Sequence, residues 1–152
     1  MAEDVWFRSH VERLLQEIWE RHELLVDDDG DYPFQVGTAA AWVKVEVGSP
    51  MAVRVFAHAA LGVKRTAKLL TELNCVTARS RFGAVYWSCG VVVCEYALPA
   101  EAVDHESLQG ICALVAGQAS DLGPMLAAVF GGETPFDEEL VSGDAEPGRD
   151  VA

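Results

Sequence analysis

The chain has 152 residues, 51% of them hydrophobic, and its 24 acidic against 11 basic side chains give a formal net charge of −13. That length and apolar content fit one domain with a sizeable core and exclude a disordered body. The acidity argues against a nucleic-acid partner, which needs clustered Lys and Arg, and against an anionic membrane surface.

The acidic start Met1-Ala2-Glu3-Asp4 enters an amphipathic segment rather than a secretory signal, and no apolar run approaches the ~20 residues that span a bilayer. A soluble cytoplasmic protein is expected. In chain order, a helix is predicted from about Asp4 to Arg21, with Trp6, Val11, Leu14, Leu15 and Ile18 on one apolar stripe. Asp4 is its N-cap candidate, and Phe7 stands where a capping box needs Glu or Gln. Phe7, His10 and Trp19 overrun the stripe. The run Asp27-Asp28-Asp29-Gly30-Asp31 has the alternating carboxylates of a calcium loop, but Tyr32 and Thr38 occupy the positions that need Gly and Glu, so it reads as a turn.

Two strands follow, about Phe34–Thr38 and Ala41–Val47, joined by a tight turn around Gly37–Ala40. Gly48-Ser49-Pro50 closes the second, and a third runs from about Ala52 to Leu61. A short helix is predicted over Thr66–Asn74, then a hairpin of Ala78–Trp87 and Val91–Leu98 about Ser88-Cys89-Gly90. The last helix runs from about Asp104 to Phe130; Gly123-Pro124 is expected to kink or split it, and Gly131-Gly132 to stop it. Beyond, Glu133, Asp137, Glu138, Glu139, Asp144, Glu146 and Asp150 face the single basic Arg149. The expected organisation is one domain over 1–132 and an acidic disordered tail over 133–152, in which Phe136 and Leu140 are candidates for a short motif or a fold-back onto the sheet.

The segment Val53–Leu98 carries apolar residues on both faces of its strands, whereas a sheet with one buried face needs only alternation. Polar markers fix the wet side, because a buried unpaired charge costs several kcal/mol. Lys44, Glu46, Arg54, His58, Arg79, Arg81 and Glu95 go to that side, and period two carries Trp42, Phe56, Val85, Trp87, Val91 and Val93 with them. Val43, Val45, Val53, Val55, Ala57, Phe82, Tyr86, Val92, Cys94 and Tyr96 are expected against the helices. The free face invites a peptide or protein client, since exposed apolar patches mark interaction sites and Trp and Arg are common anchors. Trp42, Arg54, Phe56, His58, Arg79, Arg81, Val85 and Trp87 are the candidate binding residues, with the arginines pairing client acids and an open sheet edge as a second docking mode. A covering helix, or a homodimer that consumes the face, accounts for the same pattern.

Catalysis finds little support. His10, His22, His58 and His105 are dispersed, and no nucleophile elbow, phosphate loop, dinucleotide fingerprint or zinc-protease motif occurs. A hydrolase or small-molecule site would require a concave pocket with converging polar groups. Cys75, Cys89, Cys94 and Cys112 lack metal-ligand spacing and read as reduced thiols; no metal or cofactor is expected.

The motifs Val53-Arg54-Val55-Phe56-Ala57, Leu69-Leu70-Thr71-Glu72-Leu73-Asn74 and Ala78-Arg79-Ser80-Arg81-Phe82-Gly83, with Leu126-Ala127-Ala128-Val129-Phe130-Gly131-Gly132 at the end, resemble the actinobacterial branch of the YbjN and type III secretion chaperone group over about residues 5–132. The resemblance implies an α+β fold, an antiparallel sheet of about five strands backed by helices in the order α-β-β-β-α-β-β-α. It also implies a cytoplasmic, dimeric protein that binds client peptides without nucleotide, metal or catalytic residues.

Overall fold

The computed structural model describes residues 2–138. Its elements are α1 (Ala2–Ile18), β1 (Tyr32–Val36), β2 (Ala39–Glu46), β3 (Ala52–Ala60), α2 (Ala67–Arg79), β4 (Ala84–Ser88), β5 (Val91–Pro99), a short 3-10 turn at Ala100–Ala102, and α3 (His105–Phe130). The strands form one antiparallel sheet in the order β1-β2-β3-β5-β4, so the architecture is the expected α+β arrangement. Both hairpins follow from turn chemistry: Gly37 opens a two-residue loop at φ 54, and Cys89 and Gly90 take φ 48 and 87, the left-handed pair that a tight twisted hairpin needs.

Alternation decides the layers. Val43, Val45, Val53, Val55 and Ala57 are buried beside Phe7, Val11 and Leu15 of α1, Leu69 and Leu73 of α2, and Leu108, Val115 and Leu126 of α3, in one core. The apolar stripe of α1 differs from the sequence expectation by one residue. Phe7, Val11, Leu14 and Leu15 are its buried members, spaced four, three and one apart, while Trp6 is 65% exposed and stacks on His10. Arg8 and Glu12 both hydrogen-bond the Tyr32 hydroxyl and tie α1 to β1; burial, with Glu12 adding to it, pushes that phenol up to about 12.

α2 continues five residues beyond the expected stop at Asn74 and claims Ala78 and Arg79, which sequence reading gave to a strand. The extension protects the sheet edge, because the Thr77 hydroxyl donates to the Val85 carbonyl and accepts from the Val85 N–H. At the opposite edge, β1 carries Pro33, which has no N–H to offer an added strand.

α3 is one continuous helix through Pro124, so of the two outcomes expected there the split into abutting helices is not found. Proline deprives the Ser120 carbonyl of its helical donor, and Thr38, in the β1–β2 loop, supplies its hydroxyl instead at 3.4 Å. The Ser120 hydroxyl in turn accepts the Thr38 N–H. Gly123 lets the helix sit on β3: a Cβ there would lie 2.3 Å from the Ala59 carbonyl oxygen. At 26 residues α3 is long and apolar enough to cross a membrane by length and composition, contrary to the sequence expectation, yet its stripe is seated on the sheet.

Past Gly132, where the domain was expected to end, the next few residues still make backbone contacts with the sheet. Glu133 pairs with Leu61 as an antiparallel bridge, and the Phe136 N–H donates to the Thr38 carbonyl. The remainder of the expected tail, residues 139–152, lies outside the described residues, Leu140 with it.

Candidate functional site

The sheet face turned away from the core is built from alternate residues of four strands. Register places Trp42 beside Phe56, Lys44 beside Arg54, Phe56 beside Glu95, and His58 beside Val93, which in turn neighbours Tyr86. Trp42 and Phe56 stack with ring centroids 5.3 Å apart and planes 16° from parallel. The His58 ring closes the cluster, 4.6 Å from Trp42 and 6.2 Å from Phe56. All three are half-buried, and none belongs to the core that the helices share. Val93 is 7% exposed and also lies outside that core, which shows how closely the cluster packs on itself.

Beside the aromatic cluster runs a closed polar ladder. Arg54 donates to Glu46 at 2.8 Å and to Glu95 at 3.1 Å, and the Tyr86 hydroxyl donates to the same Glu95 oxygen. The bond to Glu46, ahead of that to Glu95, holds the Arg54 guanidinium further into its charged form. Burial, with the Glu95 charge, raises the Tyr86 phenol. Lys44 stands exposed. His58 has no hydrogen-bonding carboxylate among the described residues, and burial alone lowers its pKa from 6.5.

Of the eight residues singled out from sequence, the structure brings together four: Trp42, Arg54, Phe56 and His58. The other four lie elsewhere. Arg79 ends α2, where its Nε donates to the Cys75 carbonyl, and Arg81 is exposed in the turn that follows. Val85 is 4% exposed on the core face opposite Cys94, and Trp87 opposite buried Val92 packs against the core with its indole N–H on the Val63 carbonyl at 2.8 Å. The cause is a strand start set six residues early. Two arginines fixed the parity of a strand that begins only at Ala84, after Gly83 at φ 76, and the inside-out assignment carried Tyr86 to the wrong face. Phe82, also expected against the helices, is 47% exposed in the turn and meets the edge of Tyr96. Tyr86 is the member of the outward face that sequence reading missed, and its hydroxyl donates to Glu95 there.

An open cleft of about 520 Å³ lies between the end of α3 and the segment after it, lined by Pro124, Ala127, Glu133, Thr134, Asp137 and Glu138. Its polar lining is acidic, three carboxylates with the Thr134 hydroxyl, and that hydroxyl donates to the Phe136 carbonyl. No group of His, Cys, Asp and Glu able to hold a metal ion occurs among the described residues.

The fold recurs in two solved complexes. The chain superposes with a TM-score of 0.62 on a chain of the ExsC–ExsE complex, at 17% identity over 78% of this chain and 94% of that one. With the HopA1–SchA chaperone–effector complex the score is 0.63, at 9% identity over 82% and 98% of the two chains. The architecture is thus the α+β fold of those chains, and here the helices share their core with one face of the sheet. The chain belongs to the family described as T3SS (YopN, CesT) and YbjN peptide-binding chaperone 1, whose model matches residues 6–138. No curated protein matches it.

Proposed function

We propose that this protein is a non-catalytic, cytoplasmic chaperone-like binder that holds a peptide or protein segment on its free sheet face. The observation that carries this reading is the stacked Trp42–Phe56 pair with His58, a contiguous aromatic surface outside the helix-packed core. Large aromatic rings release much free energy when a partner covers them, ~25 cal/mol per Å² of apolar area. Arg54 has a structural part here rather than the client-pairing one expected of it, since Glu46 and Glu95 already hold its guanidinium. Apolar anchoring is therefore the mechanism, with exposed Lys44, whose charge also acts on the Asp31 carboxylate, as the cation able to orient an acidic client group. The face suits a client better than the edges do, because Thr77 occupies the backbone of β4 and Pro33 interrupts that of β1. Exposed free thiols at Cys75 and Cys89 accord with a reducing compartment.

The test is affinity capture from the source lysate with the wild type and a Trp42→Asp, Phe56→Asp double variant, each first shown to melt cooperatively. A protein retained by the wild type and lost by the variant, followed by mapping of the bound segment, supports the reading. Equal captures, together with a fall in molar mass of the variant by light scattering, assign the face to a homodimer instead.

A further inference from the structure

We infer that His58 makes the aromatic patch proton-responsive: with a neutral imidazole it presents an apolar surface, and protonation converts it into a cationic one that an apolar ligand leaves. Regulation of this kind bears on client holding only if the face is the binding surface proposed above, but the response itself belongs to the patch. Three features of the geometry carry it.

The imidazole is a structural part of the patch rather than a neighbour of it, since its ring lies within contact range of both Trp42 and Phe56. It stands across from Ala40 on β2 and Val93 on β5, so neither adjoining strand puts a charge directly opposite. Next to it Ala59 is bulged out of the β3–β5 register, and bulges re-aim the side chains beside them.

The charged groups on the surrounding elements are all occupied or of the wrong sign to hold an imidazolium. On β2, Lys44 is a cation next to Trp42, and Glu46 is bound to Arg54. On β5, Glu95 lies across from Phe56 and is shared by Arg54 and the Tyr86 hydroxyl of β4. On β1, the residues beside Trp42 and Ala40 are Pro33 and Gln35, both uncharged. Burial accordingly favours the neutral ring. A ligand that covers the patch removes more water from His58 and favours the neutral form further. By reciprocity, protonation must then weaken that ligand.

The experiment uses the full chain and Nile red, a neutral apolar dye, as the probe. The patch-specific signal is the fluorescence lost in a Trp42→Ala variant, and His58 is titrated in parallel through its ring proton resonances, assigned with a His58→Gln variant. That assignment also separates His58 from His10, which stacks on Trp6. The expected result is a patch-specific signal at pH 7.5 that falls by half at the pH where the His58 resonance is half shifted, below 6.5, and that stays level in His58→Gln. Parallel loss in both proteins, titration of His58 at or above 6.5, or no Trp42-dependent signal at pH 7.5 each overturns the inference. If the dye behaves as expected while the Trp42→Asp, Phe56→Asp variant captures the same proteins as wild type, the proton response stands and the client-binding reading fails.

Discussion

The two faces of β2 and β3 alternate with the same period and differ chiefly in side-chain size. Toward the helices stand Ala41, Val43, Val45, Val53, Val55 and Ala57, all small or β-branched and all buried. Toward solvent stand Trp42, Phe56 and His58, with the Glu46–Arg54–Glu95 ladder beside them. Small residues let α3 settle onto the strands until Gly123 touches the Ala59 carbonyl. Large rings on the other face leave a surface that packs on itself and still has area to offer. The bulkiest apolar groups of these strands thus lie where no helix covers them, the reverse of what burial by hydrophobicity alone would arrange.

If this division is right, truncation should hurt most on the helix side. Phe7→Ala is expected to cost about 3–5 kcal/mol in urea unfolding, whereas Trp6→Ala on the same turn should cost well under ~1 kcal/mol, because Phe7 is fully buried and Trp6 is 65% exposed. Gly123→Ala comes next, at about 1–3 kcal/mol, since the obstacle is backbone that cannot rotate away. On the open face Phe56→Ala should cost only about 1 kcal/mol, as a half-buried ring loses part of its transfer free energy and leaves no sealed cavity. A loss for Phe56→Ala as large as that for Phe7→Ala would break the comparison and mean that something covers the open face in the free protein.

How much of this was legible in sequence varied along the chain. Through β2 and β3 the Val alternation was strict, and the polar markers Lys44, Glu46 and Arg54 truly lie on the free face, so Trp42, Phe56 and His58 could be placed correctly. In the α2–β4 region the same rule failed, because Arg79 and Arg81 belong to a helix end and a turn, and strand parity counted from them is inverted. Propensity gave no warning: Asn74 is a weak helix former, yet the helix extends past it because Thr77, three residues on, bonds the backbone of β4. Nor can composition disclose that Arg54 is paired on both sides. Its partners lie on two other strands, and only the strand order β2-β3-β5 brings them to it.

The polar ladder sharpens the comparison at a lower level. Arg54→Ala should destabilise by no more than ~1 kcal/mol, because the ion pairs are partly solvated, with the Arg54 side chain 38% exposed. Its effect should shrink in 1 M salt, where screening reaches within ~3 Å. An effect of several kcal/mol that salt leaves untouched would place the ladder in a dry interior and again imply a cover.

The smallest effect concerns pH. His58 is held neutral in the fold, so its folded pKa lies below the unfolded 6.5 and the unfolded chain binds more protons between the two values. Stability therefore rises with pH across that interval and is lost as pH falls below 6.5, levelling off beneath the folded pKa. The core face has no such group: its cysteines, Cys94 and Cys112, are pushed by burial up to about 12 and stay protonated throughout. Urea midpoints of wild type and His58→Gln measured between pH 7.5 and 5 should then differ in their slope with pH, the variant falling less on acidification. The difference tracks the open face alone. Curves that stay parallel would mean that the imidazole exchanges its proton as freely in the fold as in the unfolded chain, and that the aromatic cluster is wetter than its packing implies.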